Sequence, residues 1–189
     1  MLRTVLTLSI LLPLGACDRP AEESAQTIPL QRRASSLPQA LAQSPDTENA
    51  SWAVDEGGQA IDFGNPDEEP LMTLACRLDG KVPQLSVIRH APARPGEKAI
   101  FPVIGNGLRS RFMVDAILDE GEWLWEGTLP ADDPQLEVFT GTRSITATLP
   151  GQGMLEIDGS RIPGEFVSWC RKGGEVIDAQ VAEEEDDEA

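Results

Sequence analysis

The chain has 189 residues and a formal net charge of −17, and it contains no tyrosine. This length allows one domain with flanking tails. A chain this acidic has no electrostatic attraction to nucleic acid or to an anionic lipid surface, so we expect no nucleic-acid partner. Aromatic residues make up only 5% of the sequence, which also argues against a surface that stacks on sugars or nucleobases.

Residues 1–16 have the pattern of a secretory signal peptide. Arg3 supplies a positive charge, and the apolar run that follows it, 4–14, has the length of a signal-peptide core. A helix that spans a bilayer needs roughly 20 apolar residues, so this run is too short for a permanent membrane span. Gly15 and Ala16 are small, as a signal peptidase requires, and they directly precede Cys17.

The tetrad Leu-Gly-Ala-Cys at 14–17 resembles the lipobox of bacterial lipoproteins. The resemblance implies that Cys17 is lipidated on sulfur, becomes the new N-terminus and is acylated on its amine. Such an anchor would hold the protein on a membrane, facing the periplasm, without a spanning helix. Asp18 is similar to the inner-membrane retention signal of enteric lipoproteins, which favours the inner membrane. The alternative is an ordinary signal peptide in which Cys17 occurs by chance.

The segment from Cys17 to residue 49 has the composition of a flexible tether. Four prolines are spread among Ser, Gln, Ala and Glu, without a sustained apolar period. Such a segment buries too little surface to offset the entropy of ordering. As a flexible chain it would span about 30 Å. A short helix near 37–43 is the alternative.

The C-terminal segment 174–189 is an acidic tail. It contains eight carboxylates and no basic residue. A run of like charge is typically disordered and solvated, which is what we predict here. The functional alternative is a tail that weakly attracts cations or a basic partner.

The segment 50–173 is predicted to form one mainly β domain. Glycine, proline and aspartate turns interrupt it at short intervals, and apolar or alternating runs lie between them. This spacing favours a small antiparallel β-sandwich or a barrel-like sheet, with one or two short helices. The predicted strands are 51–54, 59–63, 71–78, 84–89, 98–103, 108–118, 122–129, 143–149 and 153–157.

Local patterns predict two hairpins and two helices. The runs on either side of residues 79–80 and 119–121 are expected to pair as antiparallel hairpins. Asp133 and Pro134 have the pattern of a helix start, in a helix that ends by Gly141. A closing helix is predicted over 160–172, where apolar residues recur at helical spacing.

Cysteine usage predicts one disulfide. If Cys17 carries lipid, Cys76 and Cys170 remain as an even pair in an oxidising compartment. A bridge between them would close a loop of about 95 residues and stabilise the domain by up to roughly 4–5 kcal/mol in the chain-entropy model. Two buried free thiols are the alternative. A metal site is disfavoured because His90 is the only histidine, so we expect no metal or other cofactor.

Trp123 and Trp125 are the candidate partner-binding residues. They are two residues apart on a predicted strand and therefore lie on the same face. The plainer interpretation places both in the core, and the alternative is that one of them borders a partner-binding surface.

No combination of residues is typical of catalysis. A nucleophilic triad needs a base, and His90 is the only imidazole. Paired acids occur at 68–69, 119–120 and 132–133, but these are predicted turns or helix caps, where acids are ordinary. We therefore expect no enzymatic activity and name no catalytic residue, with a carboxylate-based hydrolase as a remote alternative.

Four short features link the domain to known groups. It contains Phe-Gly-Asn-Pro at 63–66, an apolar strand ending at Cys76, Asp-Asp-Pro at 132–134 with a leucine at 136, and a predicted closing helix that ends in Cys-Arg at 170–171. Over roughly residues 60–172 these features resemble a group of uncharacterised proteobacterial envelope proteins. More distantly, the domain is similar to the invasion-associated locus B family of secreted proteins. The resemblance implies a small extracytoplasmic β domain and no reaction.

Together these patterns predict a lipid-anchored protein of the cell envelope. The first hypothesis is a non-catalytic binding or interaction module, with a basic or cationic protein partner. The second is a structural or assembly lipoprotein of a larger envelope complex. A well-formed apolar pocket in the structure would argue against the second hypothesis.

Overall fold

A computed structural model describes residues 43–175, which form a single antiparallel sheet with two short helices. The strands are β1 (Ser51–Val54), β2 (Ala60–Gly64), β3 (Met72–Arg77), β4 (Gln84–Arg89), β5 (Lys98–Gly105), β6 (Leu108–Asp119), β7 (Glu122–Pro130), β8 (Ile145–Thr148) and β9 (Met154–Ile157). Their order in the sheet is β1-β2-β3-β4-β7-β6-β5-β8-β9. The sheet curves until it is nearly closed, which is the barrel-like form of the predicted fold.

The predicted strands and both predicted hairpins are confirmed, with ends that differ by at most two residues. The turns explain why the pairing is local. Glu120 and Gly121 join β6 to β7 with φ angles of 47° and 97°, and Asn106 and Gly107 join β5 to β6 with 51° and 82°. Two-residue loops with positive φ at both positions match the twist of adjacent antiparallel strands.

The core lies on the concave face of the sheet. Side chains alternate between the two faces of each strand, so every second residue of β3, β4, β5 and β6 points inward. Burying a large apolar side chain of this kind contributes about 1.5–3 kcal/mol. The largest fully buried aromatic side chains are Phe63, Phe101, Phe112 and Phe139.

The two predicted helices are present, and the first is a 3₁₀ helix. It spans Pro134–Phe139, and Asp133 caps its N-terminus. Asp133 Oδ1 accepts a hydrogen bond of 2.8 Å from Gln135 N. Its buried face packs against β6, where the ring of Phe139 stacks on that of Phe112 at 5.8 Å. The helix therefore contributes core residues despite its short length.

The closing helix α1 spans Ile162–Arg171 and packs against β3, β4 and the 3₁₀ helix. Phe166 and Val167 are buried on its inner face. The Sγ atoms of Cys76 and Cys170 lie 2.05 Å apart and their Cα atoms 5.7 Å apart, so the two cysteines that the sequence pairs are at disulfide distance. This contact joins α1 to the end of β3.

The described chain begins seven residues before the predicted domain boundary. Within this stretch the Ser44 hydroxyl accepts a hydrogen bond from Met154 N at 3.1 Å, and the Asp46 carbonyl accepts one from Asn65 at 3.2 Å. The last residues of the predicted tether therefore contact the domain.

Several predictions fall outside residues 43–175. These are the signal peptide 1–16, the lipidation site Cys17, the retention residue Asp18, the tether up to residue 42 and the acidic tail from residue 176. Within the described part, no helix is long and apolar enough to cross a membrane.

Candidate functional site

A cavity of about 410 Å³ lies where β4 separates from β7. The two strands pair from Gln84 opposite Pro130 to Arg89 opposite Trp125, and the pairing ends there. The chain then turns away, and Ala93 N donates a hydrogen bond of 3.0 Å back to the Trp123 carbonyl. The space enclosed between this turn, the start of β7 and the segment before β3 is lined by Glu69, Pro70, Leu71, His90, Ala91, Pro92, Ala93, Glu122, Trp123 and Leu124.

The two candidate tryptophans have different environments. Trp125 is only 5% exposed, belongs to the core and donates a hydrogen bond of 3.3 Å from Nε1 to the Pro92 carbonyl. Trp123 is half-buried and lines the cavity. In the β6–β7 ladder it pairs with Leu118, which is 58% exposed. The structure thus separates a core tryptophan from a tryptophan at the surface of a cavity.

A hydrogen-bonded chain joins the convex face of the sheet to the cavity. Thr73 donates from Oγ1 to Asp62 Oδ1 on the neighbouring strand, and the same oxygen lies 2.8 Å from His90 Nε2. Because the hydroxyl hydrogen is directed at the carboxylate, Nε2 must carry the hydrogen of this second bond. The imidazole orientation is therefore fixed by Thr73 and Asp62.

His90 is held in its neutral form. Burial lowers the pKa of His90, because the imidazolium loses hydration inside the protein, and the neighbouring positive charge of Arg89 acts in the same direction. The carboxylates of Asp62, Asp119 and Glu69 oppose this shift, but burial is the larger effect. The imidazole therefore adds no positive charge to the cavity at neutral pH.

This chain of three residues differs from a nucleophilic triad. In a triad the histidine lies between the nucleophile and the carboxylate, whereas here the Thr73 hydroxyl lies between His90 and Asp62. Thr73 is also 7% exposed, so a substrate has little access to its oxygen. In residues 43–175 no three His, Cys, Asp or Glu side chains are grouped as metal ligands would be. The network is best described as structural support for the cavity wall.

Arg89 connects two walls of the cavity from the core side. It is 4% exposed, and its Nη1 donates to the Leu71 carbonyl at 2.6 Å and to the His90 carbonyl at 2.8 Å. Burial lowers the pKa of this guanidinium. Since both accepting residues line the cavity, Arg89 holds the two lining segments at a fixed separation. The sequence contains no signal for this role, because a single arginine in a strand normally points to solvent.

The charge of the cavity is negative. Glu69 and Glu122 are exposed at its edge, and none of the lining residues is a lysine or an arginine. Neither carboxylate belongs to any of the ion pairs in the described part of the chain. A ligand with positive charge would therefore meet two carboxylates without a competing cation.

A larger depression of about 780 Å³ lies beside α1, but its charges are mixed. Arg161 and Lys172 line it together with Glu165 and Glu175, and Arg161 is already paired with Glu165 at 3.4 Å. Charges of both signs favour no single class of ligand. The smaller cavity at Trp123 is therefore the better candidate for a binding site.

Comparison with protein-family models, with curated proteins and with solved structures found no match to this chain. The functional assignment therefore depends on the geometry and charge of the cavity and on the pattern of the N-terminal sequence.

Proposed function

We propose that this protein is a lipid-anchored lipoprotein of the cell envelope, facing the periplasm, that acts as a non-catalytic binding module for a protein partner. The anchor rests on the lipobox-like tetrad at 14–17 and on the lipidation of Cys17 that it implies. The inner membrane is favoured by Asp18. The resemblance to uncharacterised proteobacterial envelope proteins is consistent with this location.

The observation that carries the binding role is the cavity at Trp123. Ligand sites are typically concave, largely apolar and formed before the ligand arrives, with a few polar groups at fixed positions. This cavity has apolar walls, one tryptophan and two carboxylates, and its walls are held by Arg89 and by the bond between Thr73 and His90. A purely structural lipoprotein has no need of such a site.

The proposal is tested by photo-crosslinking in living cells. A photoreactive amino acid at Leu118, directly opposite Trp123, should form a discrete adduct with one partner. The matched control places the same amino acid at Val82, which is 55% exposed on the loop at the opposite end of β4. Adducts that are absent from both positions, or identical at both, would contradict a partner site at Trp123.

A further inference from the structure

We propose that the cavity at Trp123 binds a lysine or arginine side chain presented by a basic protein partner. This inference rests on the proposed function and specifies the chemistry of the ligand at the same site. It is carried by the charge of the cavity edge, the aromatic ring in its wall and the apolar residues beneath.

The carboxylates select for positive charge. Glu69 and Glu122 come from different parts of the chain, the segment before β3 and the start of β7, and both border the same cavity. The electrostatic field around the cavity is also negative. Three carboxylates, those of Asp62, Asp119 and Glu69, interact with His90, and Arg89 is the one positive neighbour that opposes them. A cationic group that enters the cavity therefore moves toward several negative charges.

Trp123 and the apolar wall select for an organic cation over a bare ion. The face of an indole ring attracts ammonium and guanidinium groups. Pro70, Leu71, Ala91 and Leu124 supply apolar surface for the methylene stem that carries such a group. Lysine and arginine side chains combine a stem of this kind with a terminal charge.

The neutral form of His90 is consistent with this ligand. A charged imidazolium in the wall would repel a cation, but Thr73 and Asp62 fix an orientation in which Nε2 donates away into the protein. The ring then contributes surface without charge. At neutral pH none of the lining side chains is then a cation, and the charge of Arg89 lies behind the wall, where it is hydrogen-bonded to the carbonyls of Leu71 and His90.

The test measures binding of a short acetylated peptide that carries a single lysine among glycine and serine residues. The protein is the full chain, purified from membranes in non-ionic detergent and labelled with ¹⁵N in its tryptophans. Its four indole N–H groups give four signals. The lysine peptide should shift the Trp123 signal in a saturable way, and the same peptide with norleucine, which keeps the stem and removes the charge, should not.

Two double variants with equal changes in net charge separate the site from the general acidity of the protein. E69Q/E122Q removes the carboxylates of the cavity and should weaken the lysine peptide roughly fivefold or more. E56Q/E156Q removes two exposed glutamates that lie outside the lining, and it should bind like the parent. Unchanged signals from Trp52, Trp125 and Trp169 verify that each variant is folded.

The remaining outcomes overturn the inference in distinguishable ways. If both double variants bind the lysine peptide equally more weakly than the parent, the peptide is attracted by the overall negative charge of the protein and not by a site. Equal binding of the lysine and norleucine peptides would mean an apolar ligand, and absence of binding to either would mean that the cavity accepts neither side chain. In each of these cases a crosslink at Leu118 would leave the binding module itself in place, whereas its absence would remove the proposed function as well.

Discussion

Thr73 and His90 are joined by a hydrogen bond of 2.8 Å that crosses from the second residue of β3 to the residue directly after β4. The bond fixes the imidazole at the point where β4 stops pairing with β7, which is where the cavity begins. One residue earlier, Arg89 faces the opposite side of the sheet and holds the same turn from within. Two consecutive residues therefore support the cavity from both faces of the sheet.

Replacing Arg89 with methionine should lower the free energy of unfolding by about 1–3 kcal/mol. The variant keeps the buried volume but leaves the carbonyls of Leu71 and His90 without their charged donor. Urea unfolding measures the loss, and hydrogen exchange at His90 N, which donates to the Leu71 carbonyl, should become faster. Arg109→Met, at an exposed position of β6, is the matched control. Equal stability of the two variants would show that Arg89 has no supporting role.

Removal of the cysteine pair should also lower the stability of the domain. Replacing Cys76 or Cys170 with serine should lower stability under oxidising conditions by a few kcal/mol, because the bridge restricts the unfolded chain across a long loop. Thermal unfolding of parent and variants, each with and without reductant, measures the effect. Melting temperatures that agree between parent and variants would argue against a bridge in the native protein.

The anchor is tested by intact mass on protein extracted from its native membrane. The expected product runs from Cys17 to Ala189 and carries a lipid adduct, and reduction should add the mass of two hydrogens if the remaining cysteines are bridged. Cys17→Ser should leave an uncleaved or unanchored product. An unlipidated mass for the parent would contradict the proposed location and the role built on it.

Most of the fold could be predicted from the sequence because its signals are local. Turn residues punctuate the chain at short intervals, and two-residue turns such as Glu120-Gly121 determine which strands pair. The 3₁₀ helix was predicted as a helix from Asp133 and Pro134, since capping is also a local property. The alternation of apolar and polar residues could not determine whether the sheet closes on itself or forms two layers, because both arrangements bury every second residue.

The cavity could not be predicted, because it depends on where a ladder ends. Trp123 and Trp125 are two residues apart on β7 and therefore face the same side of the strand. Only the end of the β4–β7 pairing at Arg89 makes Trp125 a core residue and Trp123 a cavity residue. His90 has no catalytic neighbours in sequence, and its partners Thr73 and Asp62 are brought to it by the register of three strands. Sequence spacing contains no information about such contacts.

The stability of the domain should depend on pH through His90. Since burial lowers the pKa of this residue, the unfolded chain binds a proton more readily than the folded protein does. The stabilising contribution is therefore complete above the usual histidine pKa of about 6.5 and is lost as pH falls from there through the lower folded value. Urea unfolding at several pH values between about 7.5 and 5 measures this loss.

The matched variant for this effect is His90→Gln, which does not titrate but can still donate to Thr73. The difference in stability between parent and variant should change across that pH range, in the direction of a relatively less stable parent at lower pH. A difference that stays constant would mean that His90 has the same pKa in the folded and unfolded states.

Binding of the lysine peptide should also weaken as the pH falls over the same range, for a separate reason. A proton on His90 places a positive charge in the wall of a cavity that is otherwise bordered by Glu69 and Glu122, and the peptide cation is then repelled. We expect affinity to fall on the order of threefold between about pH 7.5 and 5.

His90→Gln should bind the peptide with nearly the same affinity at both pH values, because the variant has no imidazole to charge. Reciprocity adds a second measurement, since a ligand that binds better to neutral His90 must lower the pKa of that residue further. Titration of the His90 ring signals by NMR, with and without the lysine peptide, should show this displacement toward lower pH. A titration curve that the peptide leaves unchanged would mean that the cation does not bind beside His90.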